Sequence, residues 1–397
     1  MKIQKAPENA ECKAQLMIGN YPSKVSMNCA LIGKLILVFS RPRQGKFLSA
    51  KLTSRHILIC YMIMKKHSHI RLIDGEGGRA TSRLIREIFL SRFDGSLLSK
   101  LADSAVAEIG TRNIAFTTDA FVVEPMQFPG GDIGKLAVCG TVNDLSAVGA
   151  RPVLMSAAFI IEEGLEIAQL EGFVESMAKT ALEAGVEICA GDTKVVPRRK
   201  GDGLFITTSG VGVIDDFPRT PELISPGDSI VISGDIARHA GAIVAVREGL
   251  RAAPPITSDC APLSNMVATA LREVPQIRAM RDPTRGGLGG VLCEMAEQSS
   301  CKFVVDEGAI PISQQIHGLC ELYGYDPMFL ACEGRMLFVV PEEHSRQLIT
   351  TLKTTTYGED AVIIGSVEAG EGVVIETRSG GRRLLVEPEG APLPRIC

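Results

Sequence analysis

The stretch Phe128-Pro129-Gly130-Gly131-Asp132-Ile133-Gly134-Lys135-Leu136-Ala137-Val138-Cys139-Gly140-Thr141-Val142-Asn143-Asp144-Leu145 decides how the rest of the chain is read. Gly130-Gly131-Asp132 opens an apolar helix predicted over residues 133–148, and Gly149 closes it. Working upstream, Ile114 to Thr118 reads as a strand running into Asp119. Ile70 to Ile73 is a short strand before the glycine-rich Asp74-Gly75-Glu76-Gly77-Gly78. A helix with Leu84, Ile85, Ile88 and Phe89 as its buried stripe follows that loop. Downstream, Val153 to Ile161 is a strand and Glu166 to Ala184 an amphipathic helix ended by Gly185. Val186 to Ala190 and Leu204 to Ile214 are further strands.

Periodicity breaks between Asp215 and Asp228, where Phe217-Pro218, Thr220-Pro221 and Ser225-Pro226-Gly227 make a turn-rich linker. Beyond it, strands are expected at Ser229–Ser233, Lys302–Asp306, Arg335–Val340, Val362–Ser366 and Val373–Thr377. Helices are expected at Arg238–Gly249, Leu263–Val274, after Gly287, at Ser313–Tyr323 and at Glu342–Leu352. The pattern predicts an α+β protein with an N-terminal domain over 64–216 and a C-terminal α+β domain over 217–385. A tail over 386–397 ends the sequence. Residues 1–63 form an atypical basic leader, in which only Glu8 and Glu11 oppose ten lysines and arginines. That leader shows no sustained periodicity and is expected to stand outside the fold.

The 397 residues carry a net charge of −4, which argues against a nucleic-acid surface. Eleven cysteines, none in a C-x-x-C pair, fit a reducing, cytoplasmic setting rather than a disulfide framework or a zinc knuckle. No apolar run reaches the length of a membrane span.

Asp119, Asp132, Asp144 and Asp192 are read at element ends or in glycine-rich turns, where carboxylates hold Mg²⁺ beside nucleotide phosphates. The same residue type also caps helices and shapes turns. Lys135 and Lys194 are cations near those carboxylates, and Gly75, Gly77 and Gly78 could lay backbone N–H groups against a phosphate. Asp282-Pro283-Thr284-Arg285-Gly286-Gly287 combines a carboxylate and a guanidinium at a helix start. Glu333, beside Gly334, is a plausible base or a turn residue. The tail, Glu387-Pro388-Glu389-Gly390-Ala391-Pro392-Leu393-Pro394-Arg395-Ile396-Cys397, is biased by its prolines toward extended conformations and is expected to project rather than pack. A thiol at its tip suits a carrier.

Thr117-Thr118-Asp119-Ala120-Phe121, the helix-opening stretch quoted above, Ala190-Gly191-Asp192-Thr193-Lys194, Arg281-Asp282-Pro283-Thr284-Arg285-Gly286-Gly287 and the ending Pro394-Arg395-Ile396-Cys397 together resemble one family. From about Ile70 to Cys397 the chain resembles the HypE hydrogenase expression/formation proteins. These lie within the superfamily of aminoimidazole ribonucleotide synthetase, selenophosphate synthetase and thiamine monophosphate kinase.

The resemblance implies a homodimer whose N-terminal domains pair into a β-barrel, with ATP and Mg²⁺ near the interface. It implies that the carbamoyltransferase HypF loads a carboxamide onto Cys397, that ATP-dependent dehydration makes a thiocyanate, and that the cyano group passes to iron on a HypC–HypD scaffold. Cys397, Lys194 and Glu333 are then the catalytic set. Asp119, Lys135, Asn143, Asp144, Asp192, Thr193, Gly77, Gly78 and Asp282 bind nucleotide, and Asp119, Asp144 and Asp192 hold the metal. The leader has no counterpart in the family, and Cys332 is expected to be structural. Alternatives are a small-molecule kinase or selenophosphate synthetase of the same superfamily, or a non-catalytic thiol carrier.

Overall fold

The computed structural model describes residues 11–18, 21–28, 38–39, 78–84, 86, 104–109, 112–390, 393 and 395–397. The chain divides into two compact units, Met1–Ile70 and Arg71–Cys397. In the first, β1 (Glu11–Ile18) pairs antiparallel with β2 (Tyr21–Asn28), and β2 pairs with β3 (Val38–Phe39). This departs from the expectation of no periodic structure in the leader. Cys12, Ala14, Leu16 and Ile18 alternate with Glu11, Lys13 and Gln15, a short period-two pattern easily lost among the lysines.

The second unit begins with α1 (Gly78–Leu84), β4 (Ala105–Ile109) and β5 (Arg112–Phe121). A two-residue ladder, β6 (Gln127–Phe128) with β7 (Gly131–Asp132), leads into α2 (Ile133–Ala147). The Asp132 side chain caps α2 by accepting from the Lys135 backbone N–H at 2.9 Å. Then come β8 (Arg151–Glu162), α3 (Ile167–Ala184), β9 (Glu187–Val196) and β10 (Leu204–Ile214). Their sheet runs β4-β5-β10-β8-β9, antiparallel except for the β8–β9 pair. Helix α2 is almost wholly buried against it, which is why its sequence is apolar on nearly every side.

The second half consists of β11 (Asp228–Ile232), α4 (Arg238–Arg247), α5 (Ser264–Glu273), β12 (Ala279–Arg281), α6 (Gly287–Ser299) and β13 (Lys302–Asp306). It continues with α7 (Gln314–Tyr323), β14 (Leu337–Pro341), α8 (Glu342–Leu352), β15 (Val362–Glu368), β16 (Gly372–Glu376) and β17 (Arg382–Leu385). Its seven-stranded sheet is ordered β12-β14-β11-β15-β13-β16-β17. Strand β11 is buried on both faces: Ile230 and Ile232 enter one apolar cluster and Val231 the other.

The expected placement of three aspartates needs correction. Asp192 does not lie in a turn, because β9 runs through Gly191-Asp192-Thr193 as continuous strand. Gly191 is needed there for a close approach: a Cβ at that position would come within 2.6 Å of the Ala157 carbonyl oxygen on β8. Asp119 likewise lies inside β5 rather than at its end, and Asp144 lies inside α2. The strand expected at Ile70–Ile73, the loop Gly75–Gly77 and the helical residues Ile85, Ile88 and Phe89 lie outside the described residues.

Asn143 of α2 joins the two halves. Its Oδ1 accepts from the Leu263 N–H at 2.8 Å, and its Nδ2 donates to the carbonyls of Ala261 (3.1 Å) and Glu333 (3.4 Å). The side chain is 1% exposed. Asn143→Ala strands these buried backbone groups, and we expect a loss of about 2 kcal/mol in stability, read from the urea midpoint.

Candidate active site

The tail packs inward instead of projecting. Its prolines remove donors but leave carbonyls, and the fold supplies partners for them. The Arg395 carbonyl accepts from the Glu124 N–H at 3.1 Å and from Arg247 Nη2 at 2.5 Å. The Ile396 carbonyl sits 2.9 Å from His239 Nε2, and His239 Nδ1 is 2.8 Å from Ser258 Oγ. A carbonyl can only accept, so Nε2 carries the proton and Nδ1 accepts from the serine hydroxyl. Burial pushes the His239 pKa down and keeps the ring neutral. Leu393 and Ile396 complete the apolar cluster of the C-terminal half. At the root of the tail, the first N–H groups of α1 donate to the carbonyls of Pro388 and Glu389.

This path delivers Cys397 into a closed pocket, where it joins the apolar cluster of the N-terminal half at 7% exposure. Arg285 Nη1 lies 3.3 Å from its Sγ, and the Glu333 carboxyl faces it within the same buried pocket. Burial pushes the thiol up to about 12; Arg285 opposes that shift and Glu333 adds to it. Glu333 is itself held well above the usual carboxylate range, first by burial and then by the charges of Asp282 and Asp259, with Arg285 pulling the other way. The guanidinium of Arg285 is stabilised in its charged form by Cys397, Glu333 and Asp119.

Backbone geometry fixes Glu333. A Cβ at Gly334 would approach within 1.8 Å of the Asp259 carbonyl oxygen, so only glycine lets these two loops lie against each other. The Gly334 N–H donates to Asp259 Oδ2 at 3.3 Å, and the Ala261 N–H to the Glu333 carbonyl at 3.2 Å. Glu333 Oε1 and Asp259 Oδ1 are among the buried carboxylate oxygens without a hydrogen-bond partner. Such acceptors suit an incoming N–H donor.

Asp119 and Asp144 meet on the seam between β5 and α2 through reciprocal bonds. Thr141 Oγ1 donates to Asp119 at 2.9 Å, and Thr117 Oγ1 to Asp144 at 2.8 Å. Lys135 closes the preceding turn by donating from Nζ to the Gly130 carbonyl at 3.0 Å. Asp282 is buried near Glu333, Gly78 begins α1, and Gly77 lies outside the described residues. Asp192, Thr193 and Lys194 stand apart from Cys397 and Glu333. They lie on β9, exposed from Glu187 to Val195, where Lys194 pairs with Asp192 at 2.8 Å. Lys194 and the Thr193 N–H hold the Asp192 carboxyl below its ordinary range. Cys332 is structural in its setting, fully buried and accepting from the Ala237 N–H at 3.2 Å.

Sequence reasoning missed His239, Arg247, Ser258 and Asp259. Each acts on residues far along the chain, and none belongs to a local motif that would announce it.

Comparison with known proteins agrees with this architecture. Residues 101–214 match the N-terminal domain of AIR synthase related proteins, and residues 225–378 match their C-terminal domain. The carbamoyl dehydratase HypE of Azotobacter vinelandii is 43% identical over 335 residues, covering 84% of this chain and 98% of that protein. The chain belongs to the HypE family of carbamoyl dehydratases. Among solved structures, a HypE–HypF complex matches with a TM-score of 0.74 at 42% identity, covering 77% of this chain and 99% of the HypE-like one. The hydrogenase maturation protein HypE in complex with ATP matches with a TM-score of 0.70 at 44% identity, covering 83% and 100%. The two-domain HypE fold is therefore the fold of this chain.

A buried, protonated thiol is a poor nucleophile. With iodoacetamide at pH 8, Cys397 should react at least about tenfold more slowly in the folded chain than in the urea-unfolded chain, as read by peptide mass mapping. Equal rates would mean that the tail spends most of its time undocked.

Proposed function

We propose that this chain matures [NiFe]-hydrogenase by carrying a carboxamide on Cys397 and dehydrating it, with ATP, to a thiocyanate. The observation that carries this reading is the docking of the last side chain of the sequence against Arg285 and Glu333, within a pocket built by both halves. The balanced reaction is R–S–C(=O)NH₂ + ATP → R–S–C≡N + ADP + phosphate. The carboxamide oxygen leaves in the phosphate, and the nitrogen loses two protons. ATP supplies the phosphoryl group that makes that oxygen a leaving group.

The chain's own residues supply the rest. Glu333 takes protons from nitrogen, and its unpartnered Oε1 is an acceptor in place for an N–H. Arg285 holds the sulfur and stabilises negative charge developing beside it. The docked thiol is neutral, so loading requires the undocked tail, where an ordinary cysteine pKa restores the thiolate. HypF is the loading partner on this reading, consistent with the HypE–HypF complex among the relatives, and the HypC–HypD scaffold receives the cyano group.

Among the described residues no group of three or more His, Cys, Asp or Glu side chains is arranged to hold a metal alone. A Mg²⁺ that arrives with a nucleotide needs only one or two carboxylates. The hydroxyl-braced Asp119 and Asp144 fit that requirement, with Lys135 and Asp282 beside the phosphates. Asp192, Thr193 and Lys194 join the site only if another chain covers β9. The apolar side chains exposed on this sheet, Phe116, Leu154, Ile160, Ile188 and Val195, favour the homodimer that would do so. No described helix is long and apolar enough to cross a membrane, and the cysteines from Cys139 to Cys397 are free.

Intact mass tests this reading. HypF, carbamoyl phosphate and ATP should add one carbamoyl group on Cys397, and Mg²⁺-ATP should then remove the elements of water. An adduct on another cysteine, or none, overturns the proposal. Glu333→Gln should keep nucleotide binding and the adduct while slowing water loss by at least about 10². Because its pKa is raised, Glu333 loses its proton only above the ordinary carboxylate range. The rate should therefore climb with pH along a limb above about 4.3 that the glutamine variant lacks.

A further inference from the structure

Arg395 is the one tail side chain gripped by opposite charge close to the docked thiol. Its Nη1 lies 2.6 Å from Glu124 Oε2, and its Nη2 pairs with Asp202. Glu124 lies three residues beyond the end of β5, and Asp202 sits in the loop between β9 and β10, so both carboxylates belong to the N-terminal half. The backbone of the same residue is held as well. Its carbonyl takes two donors, from Glu124 and Arg247, and its φ of +55° is a left-handed turn that directs Ile396 and Cys397 into the pocket.

An arginine at φ +55° adopts an unfavourable backbone that persists only while its surroundings enforce it. Glu124 takes part twice, donating from its N–H to the Arg395 carbonyl and accepting the guanidinium on its carboxylate. The side-chain pair is about one-third exposed on the arginine side, so it can open without unfolding the core.

We infer that Arg395, clamped between Glu124 and Asp202, is the latch that sets how long Cys397 stays in the reactive pocket. It is a positioning residue, acting on Cys397 through the turn it occupies. The inference rests on the carrier reading above, because a latch matters only where the thiol must be both exposed and enclosed. The pairs are partly solvated and therefore individually weak. That weakness suits a hinge that must open in every cycle, and docking within one chain needs little attraction beyond its high effective concentration.

The test uses the full chain and the alkylation rate of Cys397, referenced to its rate in the urea-unfolded chain. Arg395→Ala should speed Cys397 alkylation about fivefold, Arg395→Lys should stay close to the parent, and Asp202→Asn should give about twofold. Arg395→Glu should exceed the alanine variant, and adding Asp202→Arg should return the rate toward the parent. A merely structural residue would not show that recovery. Raised salt should accelerate the parent but not Arg395→Ala. Arg395→Ala should also load carboxamide at least as fast as the parent and lose water more slowly.

An Arg395→Ala rate equal to the parent at both salt levels overturns the latch, as does a charge exchange that recovers nothing. Asp202→Asn, a change in a surface loop, keeps the question answerable if an Arg395 variant misfolds. Absence of any carbamoyl adduct on parental Cys397 would instead defeat the carrier reading, while the alkylation series still decides the latch.

Discussion

A thiol, a carboxyl and a guanidinium sharing one buried pocket are stable only if each limits the cost of enclosing the others, and Cys397, Glu333 and Arg285 meet that condition. Burial drives both acids toward their neutral forms, while the guanidinium of Arg285, which stays protonated in proteins, keeps its charge beside them. The pocket then depends on contacts that make the enclosure possible. The Glu333 loop rests on the Asp259 loop at a distance only Gly334 allows, and Asn143 ties both loops to the buried helix of the N-terminal half. His239 connects Ser258, beside Asp259, to the tail carbonyl just before the reactive residue.

The same burial divides the work of the tail into two states. In the pocket burial favours the protonated sulfur, a poor nucleophile, which on the proposed carrier reading guards against acylation at the wrong moment. A carboxamide on that sulfur has no ionisable proton near neutrality, so enclosing it does not carry the desolvation penalty of a charge. It brings N–H donors toward carboxylate oxygens that otherwise lack partners. The seat is thus better matched to the loaded tail than to the bare thiol. That is the difference a two-position carrier needs if loading is to favour enclosure.

Most of the fold was legible because its signals are local. Helix α2 carries its cap at Asp132 and its apolar run in one contiguous stretch, and β10, β13 and α8 follow their expected residues closely. The misreadings have physical causes. Gly191-Asp192 has turn composition, yet the glycine serves a close approach between parallel strands. Strand β17 opens on Arg382 and Arg383 and carries no apolar alternation, so nothing in its sequence signals pairing with β16. The tail looked extended because proline stiffens it, but stiffness does not decide whether carbonyls find donors. In the site, motif and resemblance singled out Glu333 and Cys397, and Arg285 stood within a quoted motif. The seat itself was invisible, since His239 meets a carbonyl 157 residues away and Arg247 one 148 residues away.

Solvation, more than residue type, separates the roles of the carboxylates. Asp119 and Asp144 are half-buried and each accepts a threonine hydroxyl, an arrangement that fixes the direction of the carboxylate. Carboxylates of that kind suit a hard cation or the edge of a phosphate cluster. Glu333 is 2% exposed, faces the charges of Asp282 and Asp259, and keeps an oxygen without a donor, which raises its affinity for a proton. A base strong enough to strip an amide nitrogen needs that second environment, and it needs it on the side of the pocket where the tail places its sulfur. On the proposed reading, the ion-directed carboxylates come from β5 and α2 and the proton-directed carboxylate from the loop before β14. Arg285 stands between the two groups, stabilised by Asp119 on one side and by Glu333 and Cys397 on the other.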